Sequence, residues 1–195
     1  MQPNSFYSKT ELTKIGFKKM GKEVFISRFA SFYSPELIEI GNHVRIDDFC
    51  VLSGNIKLGS YIHISAYCAL YGKLGIELED FVGLSPRCSL LSASDDFSGE
   101  YMIGPLVSEK YTHVTGGKIW LKKYTLLGAC CVVLPNVTIH EGVAVGSMSL
   151  INRSLEEWSI FKGIPARKHA ERKKGILKLE KQFLHLTDNS DIEEI

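Results

Sequence analysis

No charge of either sign dominates this chain. Its 23 lysines and arginines stand against 22 aspartates and glutamates, a net charge of +1. No global field therefore draws it to nucleic acid or to an anionic lipid surface. No stretch approaches the ~18 apolar residues that span a bilayer. The opening MQPNSFYSKTEL has no apolar core of the kind a secretory leader carries. The five cysteines are dispersed and odd in number, which argues against a disulfide framework and fits a reducing cytoplasm. No Cys-x-x-Cys pair or His–Cys spacing points to zinc, so no metal is expected. The 195 residues suffice for one domain with a real core.

What the chain does have is order at a period of six. Leu121, Leu127, Val133, Ile139, Val145 and Ile151 form one unbroken set, and Ile40, Ile46, Leu52, Leu58, Ile64 and Leu70 another. Two-residue slips connect Leu78, Leu84 and Leu90 to the second set, and Met20, Ile26 and Phe32 lie upstream of it. All eighteen framed positions are apolar in a chain that is 45% hydrophobic, so the frame is no accident of composition. Helices repeat at 3.6 and strands at 2. A period of six with a bend in each unit predicts a triangular solenoid, three units to a coil, the coils stacked ~4.8 Å apart by strand pairing. Eighteen units make six coils. The fourth residue after each framed one also points inward and is small or β-branched: Val44, Cys50, Ile62, Cys68, Val82, Cys88, Cys131, Val143 and Ser149 among them. On this reading Cys50, Cys68, Cys88 and Cys131 are buried small hydrophobes, and Cys130 faces out.

Three segments leave the frame. Residues 5–19 open with a capping-box pattern, Ser8 to Glu11, and predict a short helix. Residues 95–118 form an excursion long enough to suggest a functional loop. Residues 165–188 have helical spacing, and Pro165 suits a helix start. The predicted organisation is an N-terminal helical segment over 1–19, a solenoid over 20–164 with its loop at 95–118, and a C-terminal helix and tail over 165–195.

The sixes, ending in LLGACCVVLPNVTIHEGVAVGSMSLINRS and followed by WSIFKGIPARKHAERK, resemble the hexapeptide-repeat acyltransferases, all-β proteins built as a left-handed parallel β-helix. Closer in, IGNHVRIDDFCVLSGNIKLGSYIHISAYCALYG and SASDDFSGEY are similar to transferases of amino-deoxy sugar nucleotides for bacterial surface polysaccharide, such as the dTDP-4-amino-4,6-dideoxyglucose N-acetyltransferases. The resemblance implies acetyl-CoA as co-substrate and a homotrimer with active sites between subunits. It implies N-acetylation of a dTDP-linked 4-amino-4,6-dideoxy sugar in O-antigen or capsule synthesis. O-acetylation of a saccharide hydroxyl is the alternative, and a non-catalytic or metal-binding scaffold a remote one.

Attack on a thioester needs a neutral nucleophile, and a general base contributes ~10²–10⁴-fold, with histidine the usual choice. In the galactoside and maltose branch of the resembled family a catalytic histidine sits where the frame breaks. Here that position is Asp95. His63, just before framed Ile64, faces outward, and the resemblance puts Ser65 at an active-site position contributed by a neighbouring subunit. His63 is therefore the expected base, oriented by Asp95 or Asp96 across the subunit boundary; a solvated corner histidine is the plain alternative. His113, in the excursion, is the second candidate base. Ser65, Tyr67 and Tyr71 are expected at the substrate, although the two rings suit a subunit interface equally well. By the resemblance, pantetheine runs over Gly128, Ala129, Ser147 and Met148. Lys162, Arg167 and Lys173, with Arg172 and Lys174, would meet the adenosine phosphates near Pro165.

Overall fold

Sixteen of the eighteen framed residues are buried; Met20 and Phe32, on the first coil, are half-buried. Each buried leucine or isoleucine contributes about 1.5–3 kcal/mol. Their inward line closes a single core along the chain. The structure, a computed structural model, describes residues 5–190. It is a parallel β-solenoid of about seven turns, the left-handed β-helix expected from the repeat.

Strands Lys19–Met20, Ile38–Ile40, Ile119–Leu121 and Thr138–Ile139 belong to the first wall. Phe25–Ile26, Arg45–Ile46, His63–Ile64, Gly83–Leu84, Leu126–Leu127, Ala144–Val145 and Ser159–Lys162 make the second. Ser31–Tyr33, Ser89–Leu91, Val132–Val133 and Leu150–Ile151 belong to the third. Val51–Leu58 and Ala69–Leu78 run from the third wall round to the first.

The seventh turn corrects the count of six. After Ile151 the spacing changes: Leu155 bridges to Ile139 and Phe161 pairs with Val145. Both are buried. The frame continues through a four-residue step that a strict search by sixes passes over.

The corners explain how non-glycine residues tolerate such tight bends. The third residue after a framed one repeatedly adopts a left-handed backbone, as at His43, Phe49, Tyr61, Tyr67, Phe81, Arg87, Tyr124, Cys130 and Met148. Such conformations are uncommon for side chains of this size, and here stacking between coils accompanies them. His43, Tyr61, Phe81, Tyr124 and Trp158 form an aromatic column at the corner between the first and second walls, with neighbouring centroids 4.6–6.0 Å apart. A second column, Phe29, Phe49 and Tyr67 capped by Arg87, runs along the corner between the second and third walls.

Beneath that second corner the four inward cysteines act as expected, with one addition. Their thiols donate to backbone carbonyls of the adjacent coil: Cys50 to Ser65, Cys68 to Ser85, Cys88 to Gly128 and Cys131 to Gly146, at 3.1–3.3 Å. Cys130 is exposed. Replacing Cys88 with Val is expected to leave the Gly128 carbonyl without that donor. The expected loss is about 1–3 kcal/mol, read as a lower urea midpoint, with Cys88→Ser losing less.

The N-terminal helix α1 spans Lys9–Ile15, and Ser8 and Glu11 form the capping box read from the sequence. The C-terminal reading is corrected. No helix starts at Pro165; Arg167–Glu171 instead pairs antiparallel with Ser159–Lys162 and covers the open edge of the second wall. Helix α2, Ile176–Ser190, begins eleven residues later. Arg172 lies in the connection between them and ties it to the solenoid. Its guanidinium is half-buried and donates to the carbonyls of Tyr124, Gly142 and Val143, and burial lowers its pKa. Phe183 of α2 then meets the first aromatic column edge-on at Tyr61, 5.3 Å away.

Candidate active site

The excursion leaves the third wall after Leu91 through a neck that fixes the direction of the loop. Ser92 is fully buried. Its hydroxyl donates to the Tyr71 carbonyl and accepts from the Leu74 amide, both at 2.9 Å. Ala93–Ser94 pairs antiparallel with Thr115–Gly116. A side chain at Gly116 would meet the Ser92 carbonyl at 2.3 Å, so only glycine closes the neck. Asp95 is the first residue beyond this ladder, and a rigid stem therefore sets its position.

Two hollows meet there. One, of about 530 Å³, lies at the corner between the third and first walls, lined by Ser34, Ser53, Asn55, Tyr71, Lys73, Ser94 and Asp95 together with Leu37 and Val114. The other, of about 760 Å³, is lined by Ser94, Asp95, Asp96, Phe97, Gly99, Tyr101, Met102 and Ile103. Asp95 is exposed, and its carboxylate has no hydrogen-bond partner among the described residues. Asp96 is engaged. It accepts from the Ser98 hydroxyl at 2.9 Å and the Gly99 amide at 2.8 Å. Desolvation pushes its pKa up, but these hydrogen bonds outweigh that and hold it below the ordinary value.

His63 stands on another wall. It pairs in register with Arg45, and its Nε2 lies 2.7 Å from Asp47 Oδ2, while Arg45 Nε lies 2.7 Å from Asp47 Oδ1. The sequence reading put Asp95 or Asp96 beside His63 across a subunit boundary; within one chain the carboxylate at His63 is Asp47. Burial pushes the Asp47 pKa up, but the hydrogen bonds and charges of Arg45 and His63 prevail and hold it low. Since the carboxylate accepts, Nε2 donates, which leaves Nδ1 as an acceptor. The signal for Asp47 was present. A coil offset of eighteen residues sets Arg45 beside His63 and Asp47 beside Ser65. One coil further, Ser85 follows Leu84 as Ser65 follows Ile64. Strand spacing places Ser85 roughly 8 Å from His63 between Cα atoms. Neither the Ser65 nor the Ser85 hydroxyl has a partner among the described residues.

The other expected residues are dispersed. Tyr71 lines the first hollow, but Tyr67 belongs to the stacked column at a different corner. His113 lines neither hollow; its ring lies 4.9 Å from that of Tyr101, which lines the second. Gly128, Ala129, Ser147 and Met148 share the upper part of the corner between the second and third walls. A side chain at Gly128 would meet the Ser147 amide at 2.6 Å, so coil stacking alone requires that glycine. Lys162, Arg167 and Lys173 are exposed near the top of the second wall. Lys162 Nζ lies 3.3 Å from His169 Nε2. Arg172 is turned inward, away from that group. Among the described residues no three His, Cys, Asp or Glu side chains converge as a metal site would require, and no helix is long and apolar enough to cross a membrane.

A hexapeptide solenoid with an organised excursion and two hollows sharing a free carboxylate has the architecture of the left-handed β-helix acyltransferase class. The comparisons with known proteins agree. No family model matches the chain. The dTDP-4-amino-4,6-dideoxy-D-glucose acyltransferase of Escherichia coli is 40% identical over 182 residues, covering 92% of this chain and 95% of that one. The chain belongs to that acyltransferase family. AntD, an N-acyltransferase from Bacillus cereus, solved with dTDP and 3-hydroxybutyryl-CoA, superposes with a TM-score of 0.92 at 51% identity, covering 95% of this chain and 100% of that one. An AntD variant with a serine replaced by cysteine, solved with dTDP-4-amino-4,6-dideoxyglucose and coenzyme A, gives 0.90 at 52% identity over 93% and 98%. In other solved variants of AntD an aspartate ten positions beyond that serine is replaced.

Proposed function

We propose that this protein N-acylates a dTDP-linked 4-amino-4,6-dideoxy sugar from acyl-CoA, with acetyl-CoA the simplest donor. The product would be a sugar nucleotide for surface polysaccharide, made in the cytoplasm. The observation that carries this reading is a spacing. Of the seven aspartates in the chain, only Asp95 has a serine ten positions before it, Ser85. That pair has the spacing of the two positions altered in AntD, and Asp95 is the free carboxylate between the hollows.

Ser85 and Asp95 belong to different walls, and a homotrimer brings such walls together. Charge supports the arrangement. The first wall carries an ion-paired ladder outward: Lys18 with Glu39, and Lys57 and Lys118 with Glu77. The corner between the second and third walls exposes Phe29, Phe49, Tyr67, Met148 and Ile164. Exposed apolar side chains on either side of Arg87 along one edge of a single protomer mark an interface, and a closed ring of copies would bury them. The second wall of one copy then faces the third wall and excursion of the next. In this arrangement Asp95 of one subunit holds the sugar amine, and His63, held by Asp47, takes its proton in the neighbouring subunit. Tyr71 and Lys73 suit the base and diphosphate of the nucleotide, with Ser65 beside the amine. Gly128, Ala129, Ser147 and Met148 offer a flat backbone track for pantetheine, with Lys162, Arg167 and Lys173 near its phosphates.

The amine nitrogen forms a bond to the thioester carbonyl carbon, the C–S bond breaks, and the coenzyme A thiolate leaves and takes up a proton. Incubation with acetyl-CoA and dTDP-4-amino-4,6-dideoxyglucose should release free thiol and yield the amide by mass spectrometry. Thiol release only in the presence of a neutral hexose acceptor would instead support O-acylation. Phe49→Asp tests the assembly. Aspartate tolerates the left-handed backbone there. Its charge on the apolar edge should give a sedimenting species of one-chain mass, folded but inactive.

A further inference from the structure

We propose that Cys88 is a positioning residue for acyl transfer: its thiol holds the Gly128–Ala129 peptide so that the Ala129 N–H faces outward, as a donor to the reacting thioester oxygen. This rests on the acyl-transfer reading above. The four inward thiols each bond a carbonyl of the next coil, always at the residue that follows a framed one: Ser65, Ser85, Gly128 and Gly146. A trans peptide is planar, with its C=O and N–H on opposite sides. A carbonyl turned into the core therefore turns the following N–H out of the wall. The residues that follow are Ala66, Pro86, Ala129 and Ser147. Proline has no N–H, and the amides of the other three have no partner among the described residues.

The corner between the first and second walls treats the same position differently. There the amides of Lys22, Asn42 and Ser60 donate to a side chain one coil up: Asn42 Oδ1 at 2.8 Å, Ser60 Oγ at 3.1 Å and Asp80 Oδ1 at 2.7 Å. At the corner between the second and third walls, Pro86 stands over Ala66 and cannot accept, and Ser147 stands over Ala129 without accepting from it. One corner is capped by its own side chains; the other is left open to an incoming acceptor. Register singles out Ala129. Leu127 pairs with Leu84, which sets Gly128 over Ser85 and Ala129 over Pro86. Ala129 therefore carries the first open donor above Ser85. As the amine nitrogen bonds to the carbonyl carbon, the C=O π pair moves onto oxygen. That oxyanion accepts from the Ala129 N–H until the pair returns and the C–S bond breaks.

Gly128 gives the thiol its importance. Without a side chain its peptide turns more freely, and Cys88, fully buried, is the side-chain donor to its carbonyl, at 3.2 Å. The Gly146 carbonyl has two such donors, Cys131 at 3.3 Å and Ser149 Oγ at 2.7 Å. Losing Cys131 thus leaves that peptide held, whereas losing Cys88 releases its own.

The test measures transfer from acetyl-CoA to dTDP-4-amino-4,6-dideoxyglucose in the wild type and in Cys88→Val, Cys88→Ser and Cys131→Val. Both valine variants lose a buried thiol–carbonyl bond, so both should melt lower than the wild type. Only Cys88→Val frees the peptide at the reacting oxygen. Its kcat should fall by about 10–100-fold, short of the ~10²–10³-fold that removal of a whole oxyanion donor costs. KM for either substrate should stay nearly constant, as for a group used only in the transition state. Cys88→Ser keeps a donor and should recover most of kcat, and Cys131→Val should keep the wild-type kcat. Should Cys88→Val not fold, Cys88→Ala against Cys131→Ala makes the same comparison. Equal losses of kcat in the two valine variants overturn the proposal, since packing alone then explains both. So does a Cys88→Val enzyme that keeps the wild-type kcat, one whose loss lies in KM, or a Cys88→Ser enzyme no better than Cys88→Val. If no acyl group reaches the amine in the wild type, the proposed function itself falls; if it does and the valine variants behave alike, only the role of Cys88 does.

Discussion

Replacing Asp95 with asparagine should lower kcat/KM for amine acylation by about 10²–10³-fold, within the range for loss of a group that handles charge or a proton in the transition state. The expectation rests on placement. Asp95 is exposed, no partner among the described residues needs it, and a pinned neck places it at the junction of two hollows. Its loss should therefore leave folding intact, with an unchanged circular dichroism spectrum and melting temperature. The effect should concentrate on one substrate: KM for the amino sugar should rise as kcat falls, with KM for the thioester nearly constant. Asp96→Asn is the informative neighbour. Its carboxylate holds the turn at Ser98 and Gly99, so the expected change is a few-fold, accompanied by faster proteolysis of the loop. An Asp95→Asn enzyme within threefold of wild type would remove Asp95 from the chemistry.

The solenoid was legible in the sequence because its core is written at fixed intervals. Each framed residue needs only to be apolar, and the inward residue four positions on only to be small or β-branched, so pattern and physics coincide at positions such as Ile46, Cys50, Leu84 and Cys88. Legibility failed where spacing changed without a change of structure, at the step from Ile151 to Leu155, and where a local signal had two meanings. Pro165 suits a helix start, but the residues after it are needed to cover the edge of Ser159–Lys162. An unpaired strand edge is costly enough to override that preference.

The site was less legible for a similar reason. His63 and Asp95 are each candidates from the sequence alone, but the partner of His63 depends on register. Asp47 is two positions beyond the residue that pairs with His63, a relation visible only once the coils are stacked. The excursion could be recognised as a break in the frame. Its closure by Ala93–Ser94 and Thr115–Gly116 could not, because a two-residue ladder leaves no periodic trace.

That register leads to the second large effect. His63→Asn should reduce kcat by about 10²–10⁴-fold, the usual contribution of a general base, with little change in either KM. Asp47→Asn should cost less, because Nδ1 can still accept a proton while the ring loses the anion that fixes its tautomer and steadies its charged form. The same substitution carries a pH signature in stability. Asp47 is held below the ordinary aspartate value of 3.8, burial opposing and the hydrogen bonds from Arg45 and His63 prevailing. A depressed folded-state pKa gives stability that is present above the unfolded value and lost as pH falls through the folded one. The wild type should therefore melt above Asp47→Asn at pH 7, and the gap should close as the pH is taken below 3.8. A gap that persists unchanged in acid would mean that the asparagine perturbs packing rather than removing a charge. A His63→Asn enzyme that turns over at the native rate would leave the Asp47–His63 pair as surface electrostatics and move the search for the proton acceptor to Asp95 itself.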